Sequence, residues 1–426
     1  MPFPPLHLWP QRLALASAIL LAAGCVTSEG LEPNARLQPA GALQAGRSLE
    51  GVALSPAAWP RQDWWTGLGD RQLDQLIGEA LQGTPDLQIA EARARQAAAT
   101  AQAQDAARQP TLDAKASYSG IRAPTSVAPA PLGGRYSAIK YLSLGFNYDF
   151  DLWGGERAAW EAALGQANAA RIDSQAARIG LSASIARAYS DLAVLLGKGP
   201  DRGLELQRPQ PLNPASLSLP SVLPAELLGR RADIVAARWR VEAARRNIDS
   251  AKTEFYPNLN LGAMAGLAAL HTSDVLQAPS RFFQVAPAIS LPIFDGGRRR
   301  ANLAERDADY DLAVGQYNKT LVQALGEVID NLGKLRSLEQ QVIDQRQARD
   351  IARSNFDLAM RRYGEGVGSY LDALSVQQQL LVAERQLASL ESQQIDLSVQ
   401  LVQALGGGFQ PDSRSAALAT AKAPAE

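Results

Sequence analysis

The sequence predicts a membrane β-barrel shared between protomers and joined to very long coiled-coil helices, built from an internally duplicated chain. Three observations carry that fold class. Four segments of about ten residues alternate apolar with small or polar side chains, the pattern of transmembrane strands. Leucines and valines spaced by threes and fours recur along the segment 298–363, the spacing of a coiled coil. Asp86 to Pro110 realigns on Asp233 to Pro257 at one constant offset, with Asp86 over Asp233, Arg93 over Arg240, Pro110 over Pro257 and Leu112 over Leu259. One supersecondary unit is therefore used twice.

The N-terminus reads as an export signal, with Arg12, an apolar run from Leu13 to Ala23, then Gly24 and the only cysteine, Cys25. That run is about half the roughly 20 residues a spanning helix needs, and it suits the apolar core of a signal peptide. Leu21-Ala22-Ala23-Gly24-Cys25 resembles the lipobox of bacterial lipoproteins, which implies cleavage before Cys25 and its lipid modification. An ordinary signal peptide followed by a free cysteine is the alternative. A lipid on Cys25 tethers the chain to a membrane at about 0.8 kcal/mol per buried CH₂.

From Val26 to about Pro60 the chain lacks periodicity and reads as extended. Trp64, Trp65 and Leu68 lead into Leu73, Leu76, Ile77, Ala80 and Leu81, a short amphipathic helix. Thr84 stands where a helix N-cap is needed, with Pro85 at the first helical position. The Ala-rich helix that follows, Asp86 to Gln109, ends at Pro110, as its twin ends at Pro257.

After each proline the period changes from 3.6 to 2. Leu112, Ala114, Ala116 and Tyr118 alternate with polar neighbours, and so do Leu142, Leu144, Phe146, Tyr148 and Phe150. Leu259, Leu261, Ala263 and Ala265 repeat this in the second copy, followed by Phe283, Val285, Ile289 and Leu291. Four strands cannot close a barrel, which takes about eight, and lipid does not tolerate an open edge. Several protomers must share one barrel.

In the second copy Leu321, Leu325, Val328, Leu332, Leu335, Leu338 and Val342 set the seam, continued by Ala352, Phe356, Ala359 and Tyr363. From Arg298 to Tyr363 such a helix is about 100 Å long at 1.5 Å per residue. Gly364-Glu365-Gly366-Val367-Gly368 reverses it, and Leu371, Leu374, Leu381, Leu387, Leu390, Leu397 and Leu401 carry the return helix to Gly406. Aromatics are only 6% of the 426 residues and the net charge is -1, with no block of like charge. No nucleic acid is expected as a partner.

Trp64-Trp65, Leu73-Asp74, Leu76-Ile77, Asp151-Leu152-Trp153-Gly154, Leu223-Pro224, Glu226-Leu227-Leu228, Arg230-Arg231, Asp233-Ile234, Arg362-Tyr363, Gly366 and Ser369-Tyr370-Leu371 follow one another in an order that resembles the outer-membrane factor family. The likeness is to its lipoprotein branch, the NodT-type channels similar to TolC and OprM. It implies a homotrimer with a 12-stranded barrel in the outer membrane, continued by an α-helical barrel through the periplasm. It also implies work with a periplasmic adaptor (membrane fusion protein) and an inner-membrane transporter, in expelling small molecules or exporting proteins.

By the same resemblance Leu371 and Asp372 fall at the channel gate, the periplasmic constriction, where a trimer would place each in a ring of three; clustered carboxylates repel one another and hold cations. Ser375 stands where many relatives have a second Asp. Gly364, Gly366 and Ser369 fall at the adaptor-docking tip. For Leu371 a place in the coiled-coil seam is an equal alternative, for Asp372 a solvated helix charge, and for the glycines a purely structural turn.

The first copy departs from the second. After Trp153-Gly154-Gly155 its helix runs through Ile185, Ala188 and Leu192 straight into Leu195-Leu196-Gly197, which look like Ala404-Leu405-Gly406. Roughly 65 residues are absent, a helical hairpin about 45 to 55 Å long, which would leave three periplasmic tips per trimer instead of six. The expected division is therefore a signal peptide (1–24), a lipid-anchored extended segment (25–60), a first repeat with a truncated long helix (61–200), a Pro-rich linker (201–224), a second repeat with its hairpin (225–408) and a flexible tail (409–426). An export channel is the first functional reading and a vestigial or structural lipoprotein unable to dock an adaptor the second. No enzyme is expected, because His7 lies in the signal, His271 stands alone, and no residues have catalytic or metal spacing. Nothing calls for a cofactor.

Overall fold

The computed structural model describes residues 27–39, 59–127, 133–188, 227–413 and 415. The signal peptide, Cys25, the join around Leu195-Leu196-Gly197 and the 201–224 linker lie outside the described residues. In order, the elements are a 3₁₀ turn (Trp64–Leu68), α1 (Arg71–Leu81), α2 (Pro85–Ala107), β1 (Thr111–Arg122), β2 (Tyr136–Phe150), α3 (Gly155–Arg187), a helical turn (Leu227–Arg230), α4 (Ala232–Thr253), β3 (Asn258–Ala269), two 3₁₀ turns (Thr272–Asp274 and Ala278–Ser280), β4 (Arg281–Ser290), α5 (Arg298–Gly364) and α6 (Tyr370–Ala404). The chain forms two compact units that cut across the sequence repeats: 1–34, 98–165 and 242–312 in the first, and 35–97, 166–241 and 313–426 in the second.

The first unit holds the sheet. All four alternating segments are strands, antiparallel in the order β1-β2-β3-β4. Register does what alternation alone cannot: it sets Leu112 opposite Phe146 and Ala114 opposite Leu144, then Leu142 opposite Leu267, Phe146 opposite Ala263, Ala263 opposite Val285 and Leu259 opposite Ile289. Every one of these side chains lies on the same face, since successive residues of a strand point to opposite sides. Phe283 on that face is 87% exposed. The other face carries Asp113, Lys115, Ser143, Asn147, Asp149 and Asn260, and the Asn260 amide donates to Asn147 (2.9 Å) and to Asp149 (2.8 Å). It also holds a feature the alternation did not announce. Tyr141 stacks on Phe282 at 5.1 Å and donates its hydroxyl to the Met264 sulfur at 2.9 Å. A Cβ at Gly266 would meet the Phe282 ring at 2.9 Å and the Leu142 carbonyl oxygen at 2.2 Å, so only glycine lets the strands lie this close beneath the ring.

Both copies start their long helices in one way. Asp151 accepts from the backbone N–H of Glu156 (3.1 Å) and Arg157 (2.8 Å), and Asp295 from Gly297 (3.0 Å) and Arg299 (3.2 Å). A carboxylate at a helix N-terminus satisfies donors that have no partner within the helix and meets the positive end of its dipole. Trp153 stacks on Tyr256 at 4.8 Å and donates to the Pro257 carbonyl at 2.7 Å, which ties the start of α3 to the proline before β3. Below them Ile248, Ala251 and Leu303 pack with Leu31, Phe255 and Tyr310. Leu31 belongs to the extended N-terminal segment, where Arg300 donates to the carbonyls of Thr27 (2.5 Å) and Glu29 (3.3 Å) and the Asn34 N–H donates to Asp311 (3.2 Å).

The second unit is helical. Asp70 caps α1 by accepting from Gln72 and Leu73, and α1 buries Leu73, Leu76, Ile77 and Ala80 against Ala183, Ile185 and Ala186 of α3 and Val399 of α6. Each of the three larger side chains contributes about 2 kcal/mol by leaving water. Pro85 opens α2, but Thr84 caps it with its carbonyl alone; its hydroxyl is buried with no hydrogen-bond partner. Arg231 is clamped by Asp233 (2.6 Å), Glu327 of α5 (2.8 Å) and the Ala404 carbonyl at the end of α6 (2.9 Å). The glycines after α6 permit close crossings: a Cβ at Gly406 would lie 1.9 Å from the Arg230 carbonyl oxygen and one at Gly408 2.2 Å from that of Arg61, and both have positive φ.

Two features of this unit lie beyond the sequence pattern. The first residues after α6 are held by named partners. Phe409 packs with Ile172 and Trp239, Asp412 accepts from Arg171 (2.5 Å), and the buried Ser415 hydroxyl accepts from the Trp239 ring N–H (3.1 Å). The seam of α6 does not follow all its leucines. Ala373, Leu380, Leu387 and Leu390 are buried, whereas Leu371, Leu374 and Leu381 are exposed. α6 carries two apolar stripes, and the buried one meets α5 through Leu387 and Leu390, which pack with Leu338 and Val342.

Candidate functional site at the hairpin tip

The reversal between α5 and α6 is built by backbone bonds. The Arg362 carbonyl accepts from both Val367 N–H (2.9 Å) and Gly368 N–H (3.1 Å), and Glu365 N–H donates to Arg361 (2.9 Å). Such bonds satisfy carbonyls at a helix C-terminus, and Gly366, at φ 74°, supplies the left-handed residue they require. Gly364 is different: its φ is not positive, and a Cβ there would touch nothing.

Ser369 and Asp372 form a reciprocal capping box. The Ser369 hydroxyl accepts from Asp372 N–H (3.1 Å) while the Asp372 carboxylate accepts from Ser369 N–H (3.2 Å). These bonds, with the nearby Arg362 charge, hold the Asp372 carboxyl below the usual carboxylate range. Tyr363 and Tyr370 close the tip from either side with ring centroids 5.5 Å apart. Leu371 is 76% exposed and Val367 69%, so the tip shows an apolar rim around a polar turn.

The structure thus brings Gly366, Ser369 and Asp372 together in one turn and leaves Leu371 projecting outside the hairpin seam. The tyrosine pair was not singled out as functional, although both residues stand in the motif Arg362-Tyr363…Ser369-Tyr370. Behind the tip the hairpin is joined by Arg353 to Glu384 (2.9 Å) and Arg346 to Glu391 (2.8 Å). Among the described residues no helix is long and apolar enough to cross a membrane, and no group of three His, Cys, Asp or Glu side chains is placed to hold a metal ion.

The pattern of the family described as Outer membrane efflux protein matches residues 76–198 and 223–407. The Escherichia coli multidrug resistance outer membrane protein MdtP is 28% identical over 479 residues, covering 94% of this chain and 97% of that one. The fusaric acid resistance protein FusA of Burkholderia cepacia is 32% identical over 366 residues, 70% of this chain and 69% of its own. Among solved structures, the outer membrane protein VceC of Vibrio cholerae is 33% identical with a TM-score of 0.73, over 83% of this chain and all of that one. The Campylobacter jejuni CmeC outer membrane channel shares the fold at a TM-score of 0.80, 20% identical over 90% of this chain and 96% of that one. With a sheet of four paired strands feeding helices of up to 67 residues, this chain belongs to the outer membrane efflux protein family and has the fold of its channels, in which protomers share an outer-membrane β-barrel and a periplasmic helical tube.

Proposed function

We propose that three copies of this chain form an outer-membrane channel that releases small molecules delivered by an inner-membrane transporter through a periplasmic adaptor. The observation that carries this is the sheet: it gathers its apolar residues on one face by register and ends in two edge strands, β1 and β4, that only further copies can pair. The relatives named for multidrug and fusaric acid resistance favour small organic molecules as cargo.

At the tip, Leu371 and Asp372 form the channel gate, and Gly364, Gly366 and Ser369 shape the surface an adaptor meets. The exposed rim of Val367, Tyr370 and Leu371 supports this. Lipidation at Cys25 is supported by the hold of Arg300 on Thr27, which brings the chain two residues after that cysteine to the first turn of α5, just after β4.

A second reading, a vestigial or structural lipoprotein that cannot dock an adaptor, rests on the first repeat having lost its hairpin. The alignment to MdtP, at 479 residues, is longer than this 426-residue chain, which fits a first copy lacking a hairpin. Drug susceptibility in a strain lacking its own channel tests the pair of readings, comparing the unmodified chain with one given a grafted first hairpin. Equal rescue by both supports the working channel; rescue by the graft alone supports the structural reading.

A further inference from the structure

The sheet is polarised in charge along its strands. Between Ala114 and Tyr148 the sequence has Lys115, Arg122, Arg135 and Lys140 but no Asp or Glu, and between Pro257 and Phe294 there is one acid, Asp274, which stands beside His271, and one arginine, Arg281. Acids instead sit where the strands meet the helices, at Asp113, Asp149, Asp151 and Asp295. Register places the cations further. Arg122 lies opposite Tyr136 and Lys140 opposite Tyr118, while Arg281 lies opposite Leu267 and so one row below Lys140. All belong to the apolar, outward face, at the end of the strands away from the helices.

These cations have donors to spare. Lys140 gives one N–H to the Leu270 carbonyl (2.6 Å) and stands 5.6 Å from the Tyr118 ring, and Arg122 gives Nε–H to the Gly134 carbonyl (3.2 Å). Neither they nor Arg281 meets a carboxylate among the described residues. An ammonium keeps two further donors and a guanidinium four. Tyr118 and Tyr136, their hydroxyls 3.1 Å apart, mark the level of the membrane interface beside them.

We infer that this face binds the phosphorylated glycolipid of the outer leaflet, its acyl chains on Leu142, Phe283 and Val285 and its phosphates on Arg122, Lys140 and Arg281. The inference rests on the reading that the sheet spans the outer membrane. Lys140 and Arg281 lie about 12 Å apart by strand spacing and rise, a separation that one disaccharide head group phosphorylated at both ends can bridge.

The test uses purified full-length trimers, reading their dissociation temperature with bisphosphoryl lipid A, dephosphorylated lipid A, phosphatidylglycerol or inorganic phosphate. Bisphosphoryl lipid A alone is expected to raise it. Replacing all three cations (Arg122→Gln, Lys140→Gln, Arg281→Gln) raises the half-saturating concentration about hundredfold, since each basic residue near an anionic lipid surface is worth about fivefold. The charge-preserving set Arg122→Lys, Lys140→Arg, Arg281→Lys stays within about tenfold of the parent, and Lys334→Gln, away from the sheet, changes nothing. Intact trimers blind to lipid A, or equally stabilised by any of the other three probes, overturn this inference alone. A parent chain that stays monomeric overturns the channel reading and this inference with it.

Discussion

At the level of single residues, the glycines of this chain divide by what a methyl group would meet. Gly408→Ala forces a Cβ to within 2.2 Å of a carbonyl oxygen at φ 80°, and it should lower stability by at least about 2 kcal/mol in thermal unfolding. Gly364→Ala meets open space at a helix end, so its stability should change by no more than about 1 kcal/mol; if adaptor affinity nonetheless falls, Gly364 acts in docking. Asp372 makes a pH prediction. Its carboxyl titrates lower when folded, so its contribution is fully present above the unfolded pKa and is lost as pH falls through the folded one. Amide exchange in the first turn of α6 should therefore accelerate below about pH 4, and Asp372→Asn should remove that dependence. None of these distinctions was legible in the sequence. Gly364 and Gly366 look alike in a row of letters and differ only in φ, and Arg231 finds Glu327 and the Ala404 carbonyl across 96 and 173 positions.

Elements were more legible, for a physical reason. A strand in a membrane barrel must alternate along its whole length, and β1 to β4 emerge where the period changes from 3.6 to 2. A helix that packs on one neighbour shows one stripe, but α6 shows two, and spacing could not say which meets α5. Truncation separates them: Leu390→Ala should cost about 2 to 4 kcal/mol and speed amide exchange across the hairpin, whereas Leu371→Ala should leave exchange unchanged. If Leu371 gates the channel, the same Leu371→Ala substitution raises single-channel conductance; unchanged conductance sinks that role. The N-terminal segment was legible only as extended, because its hold on α5 comes from Arg300 and Asp311, which no periodicity marks.

For the whole molecule, duplication plus four strands was enough to require a shared barrel, and the family match agrees with it. Detergent-extracted particles should have three times the mass of the mature chain, measured by native mass spectrometry; monomers would refute the assembly. The N-terminal segment adds a mechanical consequence. Beyond Asn34, the Gln38 N–H donates to Asn318 (2.9 Å), whose amide donates to the Arg36 carbonyl (3.0 Å), so segment and α5 advance in the same direction with attachments at residues 300, 311 and 318 of the helix. A pull along the helix axis stretches those attachments in shear, all at once, instead of peeling them one by one. Tension reaching α5 from its distal end would be divided among several bonds before any of it reached the strands.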